Sequence, residues 1–260
     1  MSDESTAPTV RYEVAGGVAT VTLDRPAARN ALDIASMDLV MSHLADAAND
    51  DAVRVVVLTG EGSVFCSGAD LRDATTDDGG FGRGTQVLAD VLKALHDHPK
   101  PTIARVQGHV AGGGNGLVAA CDLAVAADTA KFAFTEVRVG VAPAVISVVC
   151  LPLMRPRDAA ELLLTGERVS AERVREAGLI NAVVHAEALD AHVRAWVEQL
   201  SAAGPIAVSE TKKLLRTVPT MSRDDGFEMT AALSARLFAS DEAREGMTAF
   251  LERRPAVWGA

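Results

Sequence analysis

The sequence predicts an α/β body with mostly buried strands, followed by a helical C-terminal part. Three observations predict it. Short apolar runs such as "VRVVVLTG" and "LAVAA" alternate with longer segments of helical period up to residue 200, the pattern of a sheet covered by helices. Beyond residue 200 the strand signals stop and the chain reads as helix. The 260 residues are 48% hydrophobic and 23% charged, ordinary globular composition with enough apolar mass for a sizeable core. Residues 1–200 therefore form the expected core, with 1–8 as a loose tail, and 201–260 a helical appendage.

The elements follow in order. "VRYEVAGGVATVTLD" alternates apolar and polar residues on both sides of Gly16-Gly17, a β-hairpin signature. "ALDIASMDLVMSHLADAAND" places Leu32, Met37, Val40, Met41 and Leu44 on one helical face. "VRVVVLTG" reads as a buried strand ending at glycine. "DATTDDGGFGRGTQ" is polar and glycine-rich, and is expected to be a mobile loop. A helix through "QVLADVLKALHDH" ends before Pro99, and "PTIARVQGHV" returns to strand. A glycine cluster, a helix and the strand "LAVAA" come next. "GPIAVSETKKLLRTV" and "DDGFEMTAALSARLFASDEAREGMTAFLERR" are helical by period and propensity. No internal repeat is visible.

Charge and special residues exclude several classes. The formal net charge is −10, with no basic stripe, which argues against nucleic acid as a partner. Cys66, Cys121 and Cys150 are an odd number of thiols in apolar settings, fitting a reducing compartment better than a disulfide framework. The acidic N-terminus lacks a signal-peptide apolar region and no apolar run reaches membrane-spanning length, so the expectation is a soluble, cytoplasmic protein. His96, His98 and His109 make no metal-ligand spacing with cysteines or carboxylates. No metal and no cofactor is expected.

The most distinctive stretch is "HVAGGGNGLVAACDL" (109–123), with Gly112, Gly113, Gly114 and Gly116. A glycine-rich strand end opening into a helix leaves N–H groups unpaired and accessible. The dinucleotide pattern G-x-G-x-x-G fails, because its last position falls on Leu117 or Ala119. No Lys-Ser/Thr follows for a phosphate loop. Close helix–strand packing without a ligand remains the simpler alternative. A second stretch, "VVVLTGEGSVFCSGADL" (55–71), is again a buried strand leading into a small-residue turn. Two such turns, if they meet, place two fixed amide donors at one point, which is the construction of an oxyanion hole.

These stretches resemble a known family. "TLDRPAARNALD" (22–33), 55–71, "HPKPTIARVQGHVAGGGNGLVAACDLAVAADTAKFAFTEVRVGVAP" (98–143), "LTGERVSAERVREAGLINAVV" (164–184) and "EGMTAFLERRP" (245–255) are collinear with the crotonase, or enoyl-CoA hydratase/isomerase, superfamily. The resemblance implies an α/β fold that is a crotonase-type spiral of β-β-α units with a helical C-terminal trimerisation segment. It further implies homotrimers or dimers of trimers, and an acyl-CoA thioester as the molecule approaching the glycines, with CoA as part of the substrate. The N–H groups of Ala69 and Gly113 would hold the thioester oxygen as it becomes an enolate.

Hydratases of this family commonly carry one glutamate just after the glycine triplet and another further along. Here the first position is Gly116 and the second matches Glu136 in "FAFTEVRVG". By residue pattern alone Glu136 would be a solvated or Arg138-paired carboxylate; the resemblance makes it the catalytic residue. One carboxylate can deprotonate water for attack at C3 and return a proton at C2, or carry a proton from C2 to C4. Water addition is the first expectation and isomerisation the second. A silent acyl-CoA-binding homologue is the third. "GGGNGL" with "FTEVRVGVAPAVIS" resembles a single-glutamate bacterial subgroup acting on 3-methyl-branched or glutaconyl-type enoyl-CoAs, and "APAVISVV" adds apolar bulk beside the acyl pocket. The resemblance also carries substrate or CoA contacts onto Arg25, Arg29, Ala69, Asp70, Leu71, Gly112, Gly113, Gly116, Phe250 and Arg253. The alternatives are solvated loop arginines and a core position for Phe250. His109, at a strand end, reads as structural.

Overall fold

The computed structural model of the chain describes residues 8–70 and 80–258. The expected hairpin opens it: β1 (Val10–Ala15) and β2 (Val18–Leu23) pair antiparallel. Gly16 and Gly17 make the turn at φ 57° and 80°, left-handed values that suit the strand twist and that glycine tolerates. Helix α1 (Ile34–Asn49) is fixed by a reciprocal cap: the Asp33 carboxylate accepts from the Ser36 amide at 2.7 Å, and the Ser36 hydroxyl accepts from the Asp33 amide at 3.2 Å. Met37, Val40 and Leu44 face inward as expected, with Met41 only partly buried. Leu32 lies before the cap instead of on the helix, and forms a parallel β-bridge with Ala69.

Three β-β-α units follow. The first is β3 (Val55–Gly60), β4 (Val64–Cys66) and α2 (Gly80–Asp97). The second is β5 (Thr102–Val106), β6 (His109–Ala111) and α3 (Gly113–Ala120). The third is β7 (Leu123–Ala127), β8 (Lys131–Ala133) and α4 (Ala144–Cys150). Helices α5 (Pro156–Thr165) and α6 (Ala171–Ala177), with β9 (Val169–Ser170) and β10 (Ala182–Val184), complete this part. The first strand of each unit enters one sheet, ordered β1-β2-β3-β5-β7-β10, and the second enters another, ordered β4-β6-β8-β9. The pairings β2–β3, β3–β5, β5–β7 and β7–β10 are parallel. This is the spiral of β-β-α units that the resemblance implies. The repeat lies in the backbone path and not in the side chains, so it leaves no trace in the sequence.

Two expectations are corrected. "PTIARVQGHV" is two strands in different sheets, because the chain crosses over at Gln107-Gly108. A Cβ at Gly108 would sit 2.1 Å from the Ser63 carbonyl oxygen, so this crossing requires glycine. The glycine-rich stretch 73–86 is not all loop either: its residues from Gly80 onward form the start of α2, and residues 71–79 lie outside the described residues. Tertiary burial outweighs the poor helix propensity of this segment, since Val91, Leu92 and Leu95 of α2 are core residues.

Helix α7 (Leu189–Ser201) buries Leu189 and Val193 against β3, β5 and β7. The chain then runs through α8 (Pro205–Thr217), α9 (Arg223–Phe238) and α10 (Asp241–Glu252). The long helical run predicted near the C-terminus is broken where Ser240 caps α10, its hydroxyl accepting from the Ala243 amide at 3.1 Å. Lys212 ties α8 to the body through an ion pair with Asp122 at 2.5 Å and a hydrogen bond to the Lys100 carbonyl at 3.1 Å. Phe227, Phe238 and Phe250 stand 69%, 70% and 82% exposed on these helices.

Candidate active site

The two small-residue turns meet. Leu32 donates to the Gly68 carbonyl at 2.8 Å and accepts from the Asp70 amide at 2.9 Å. This parallel bridge turns the N–H of the residue between them, Ala69, away from Leu32. Gly68 at φ 90° lets the chain make that approach, and a Cβ on it would lie 3.0 Å from the Ala111 carbonyl oxygen and 3.1 Å from the Gly113 nitrogen. Glycine is therefore obligatory there.

Gly112 precedes α3 at φ 52° and ψ −128°, a conformation open essentially to glycine alone. Its amide is spent on the Ala133 carbonyl at 3.1 Å. Gly113 is the first residue of α3, where no intrahelical acceptor exists for its N–H. The Ala69 nitrogen lies 3.9 Å from the position of a Cβ on Gly113. Both residues line one cavity of about 330 Å³. The positive end of the α3 dipole points into it.

Glu136 faces these amides from the 3-10 turn Thr135–Val139 that follows β8. Its Oε1 lies 3.8 Å from the position of a Cβ on Gly112. Its Oε2 is buried and accepts no hydrogen bond. Burial raises the carboxyl above its ordinary value, opposed in part by a hydrogen bond from its own backbone amide. The surface ion pair considered from sequence is absent: Arg138 pairs with Glu167 and donates to the Thr165 carbonyl at 2.7 Å. Among the described residues lining the cavity, Asp70 is the other ionisable group, and it sits 3.4 Å from the Arg25 guanidinium. The rest of the wall is largely hydrocarbon, including Leu32, Met37, Leu88, Val141 and Ile146.

Gly116 is elsewhere than expected. It is not among the residues lining the cavity; Ile146 of α4 lies over it. A Cβ on Gly116 would stand 2.6 Å from Ile146 Cγ2 and 3.1 Å from Leu92 Cδ1. Of the stretch "APAVISVV", Ala142, Pro143, Ala144, Val145 and Ile146 line the cavity, and Ile146, 2% exposed, is the one seated over Gly116. Sequence reasoning missed Ile146, Leu32 and Thr135 as lining residues, because no local pattern announces a contact between separate elements.

The other singled-out residues divide. Arg25 borders the site through Asp70, but its guanidinium is also engaged by Asp33 at 2.9 Å and by the Ala31 carbonyl at 2.6 Å. Arg29 is exposed, at φ 53°. Leu71 lies outside the described residues. Phe250 and Arg253 are exposed and are not among the residues lining the cavity, so the core position considered for Phe250 does not hold in this chain. His109 is exposed and accepts from the Lys131 amide at 3.2 Å; His98 is buried between the Leu44 and Lys100 carbonyls. All three cysteines are buried and free, their thiols pushed up to about 12 by burial, which leaves them inert as nucleophiles. Among the described residues no group of three His, Cys, Asp or Glu is placed to hold a metal, and no helix is long and apolar enough to cross a membrane.

The chain is similar to known proteins along nearly its whole length. The profile of the family described as enoyl-CoA hydratase/isomerase matches residues 13–260. The chain is 35% identical over 258 residues to (E)-benzylidenesuccinyl-CoA hydratase of Thauera aromatica, covering 96% of this chain and 99% of that one. It is 33% identical over 262 residues to enoyl-CoA hydratase EchA19 of Mycobacterium tuberculosis, covering 98% and 97%. Among solved structures, an enoyl-CoA hydratase of Mycobacterium smegmatis superposes with a TM-score of 0.91 at 34% identity, over 97% of this chain and 99% of that one.

Proposed function

Because the chain belongs to the enoyl-CoA hydratase/isomerase family of enzymes, we propose that it adds water to a 2-enoyl-CoA thioester using two backbone amides and one carboxylate. The observation that carries this reading is the convergence of the Ala69 and Gly113 amides with the unpartnered Oε2 of Glu136 in one cavity. The amides receive the thioester oxygen, where negative charge develops as water attacks C3. Such fixed donors are typically worth about 2.7–4 kcal/mol each in the barrier. Glu136 takes a proton from water as the water oxygen bonds to C3. The C2–C3 π pair moves toward the thioester as an enolate, and collapses to take the proton back from Glu136 at C2. Atoms balance as one water gained. The raised carboxyl suits this double duty, since its two protonation states lie closer in energy near neutral pH.

Isomerisation is the second reading. It is favoured by the hydrocarbon wall around Glu136, which serves a proton carried from C2 to C4 without water. Incubation with crotonyl-CoA and with a 3-enoyl-CoA, followed by mass analysis and NMR, separates the readings. Gain of one water from crotonyl-CoA supports hydration; a shifted double bond without mass change supports isomerisation. Neither product, with acyl-CoA bound, leaves a silent homologue.

The exposed Phe227, Phe238 and Phe250 support association through the C-terminal helices as a homotrimer or a dimer of trimers, which sedimentation analysis tests. Phe250 and Arg253 would then reach CoA only on a neighbouring subunit. Arg29, free of ion pairs among the described residues, remains a candidate phosphate contact. A cytoplasmic location is proposed with the buried free thiols in support.

A further inference from the structure

We propose that Ile146 is the specificity-determining residue for the acyl group, and that it acts as one half of a complementary pair with Gly116. The inference rests on the reading of the cavity as an acyl-CoA site. Gly116 lies three residues beyond Gly113 on α3, just under one turn and roughly 4.5 Å along the helix axis. If the thioester oxygen is held at Gly113, the carbons two and three bonds beyond the carbonyl pass the level of Gly116. What they meet there is Ile146, which lines the cavity and is 2% exposed.

The contact between the two residues is complete. A Cβ on Gly116 would stand 2.6 Å from Ile146 Cγ2 and 3.1 Å from its Cβ, so bare backbone is what lets the branched side chain seat this deeply. Ile146 is stiff at χ1 as a β-branched residue and is embedded on α4 between core residues. It sets the width available to the acyl chain where the chain passes Gly116, and a branch at C4 meets its methyl groups.

Trimming Ile146 removes that limit, and the space opened runs down to the bare Cα of Gly116. The test uses saturated acyl-CoAs, which bind without reacting. Dissociation constants for butyryl-CoA and 4-methylpentanoyl-CoA are measured by calorimetry for the wild type, Ile146→Ala and Ile146→Val. Ile146→Ala is expected to shift the ratio of the two constants by about tenfold or more in favour of the branched ligand, the low end of what one methylene in an apolar pocket discriminates. Ile146→Val should fall between, and serves if the alanine variant does not fold. Gly116→Ala is expected to move the ratio the opposite way by pushing Ile146 into the cavity, and Gly116→Ala/Ile146→Ala to bring it back.

An unchanged ratio in both Ile146 variants, with both ligands bound, overturns the proposal. So does a Gly116→Ala effect that Ile146→Ala fails to reverse. Failure of the wild type to bind either ligand overturns it together with the acyl-CoA reading of the site. Binding with the expected shift but no product from any enoyl-CoA leaves the pair standing and removes the hydratase reading alone.

Discussion

The two walls of the cavity are built in opposite ways. The amide wall is backbone held from several sides: Leu32 brackets Ala69, Gly112 is bonded to Ala133, and Asn115 donates to the Gly112 and Ala133 carbonyls at 3.2 and 2.9 Å, its own Oδ1 being buried without a partner. The carboxylate wall holds one polar atom, Glu136 Oε2, that nothing satisfies. Donors that must not move are fixed, and the group that must exchange protons is left without a partner. The difference teaches that fixed backbone donors and an exchangeable side-chain proton can be assigned to separate elements lining one cavity, and that each fails in its own way.

Glu136→Gln breaks the carboxylate wall alone. It removes the proton carrier and keeps the shape, so kcat should fall by roughly 10²–10⁴ while acyl-CoA affinity stays. Gly68→Ala breaks the amide wall. The new methyl would press on Ala111 and on the Gly113 nitrogen at φ 90°, and displacing one donor should lower kcat by about 10²–10³. Steady-state kinetics on an enoyl-CoA, with circular dichroism to check folding, reads both.

A smaller effect sharpens the comparison at the support beneath the amide wall. Asn30 is 1% exposed, donates to the Glu61 and Val64 carbonyls at 3.0 and 2.7 Å, and accepts from the Arg25 amide at 2.9 Å. Asn30→Ala should destabilise the protein by about 3 kcal/mol, because buried groups are left unpaired. Urea denaturation measures it.

The smallest effect concerns pH. Burial raises the Glu136 carboxyl above the ordinary 4.5, so the acid limb of kcat/KM should have its midpoint above that value, with activity falling as pH drops. Stability runs the other way. The folded state holds the proton more tightly than the unfolded one, so the stabilising effect is full below the unfolded value and is lost as pH rises through the folded one. Glu136→Gln should therefore raise the melting temperature at neutral pH, and the gain should vanish in acid.

Legibility followed the same division. The amide wall was readable because glycine is the one residue type that betrays backbone requirements: Gly68, Gly112 and Gly113 stood out before any contact was known. Glu136 needed the family resemblance, since a lone carboxylate beside Arg138 reads as surface by pattern alone. Ile146 over Gly116 was not readable at all as a pair. Thirty residues separate them, and their fit depends on how α4 docks on α3. The α/β body and helical end were legible from periodicity, yet the crossover at Gly108 and the helical state of Gly80–Gln86 were not, because both are decided by what packs against them.

The measurement that tests the central assignment most directly is a pair of numbers for Glu136→Gln and the wild type: the turnover of crotonyl-CoA and the dissociation constant of butyryl-CoA. A turnover lower by at least about 10² with an unchanged dissociation constant is the result predicted for a proton carrier opposite an intact oxyanion hole. Turnover retained by the glutamine variant, or binding lost along with it, would contradict the assignment.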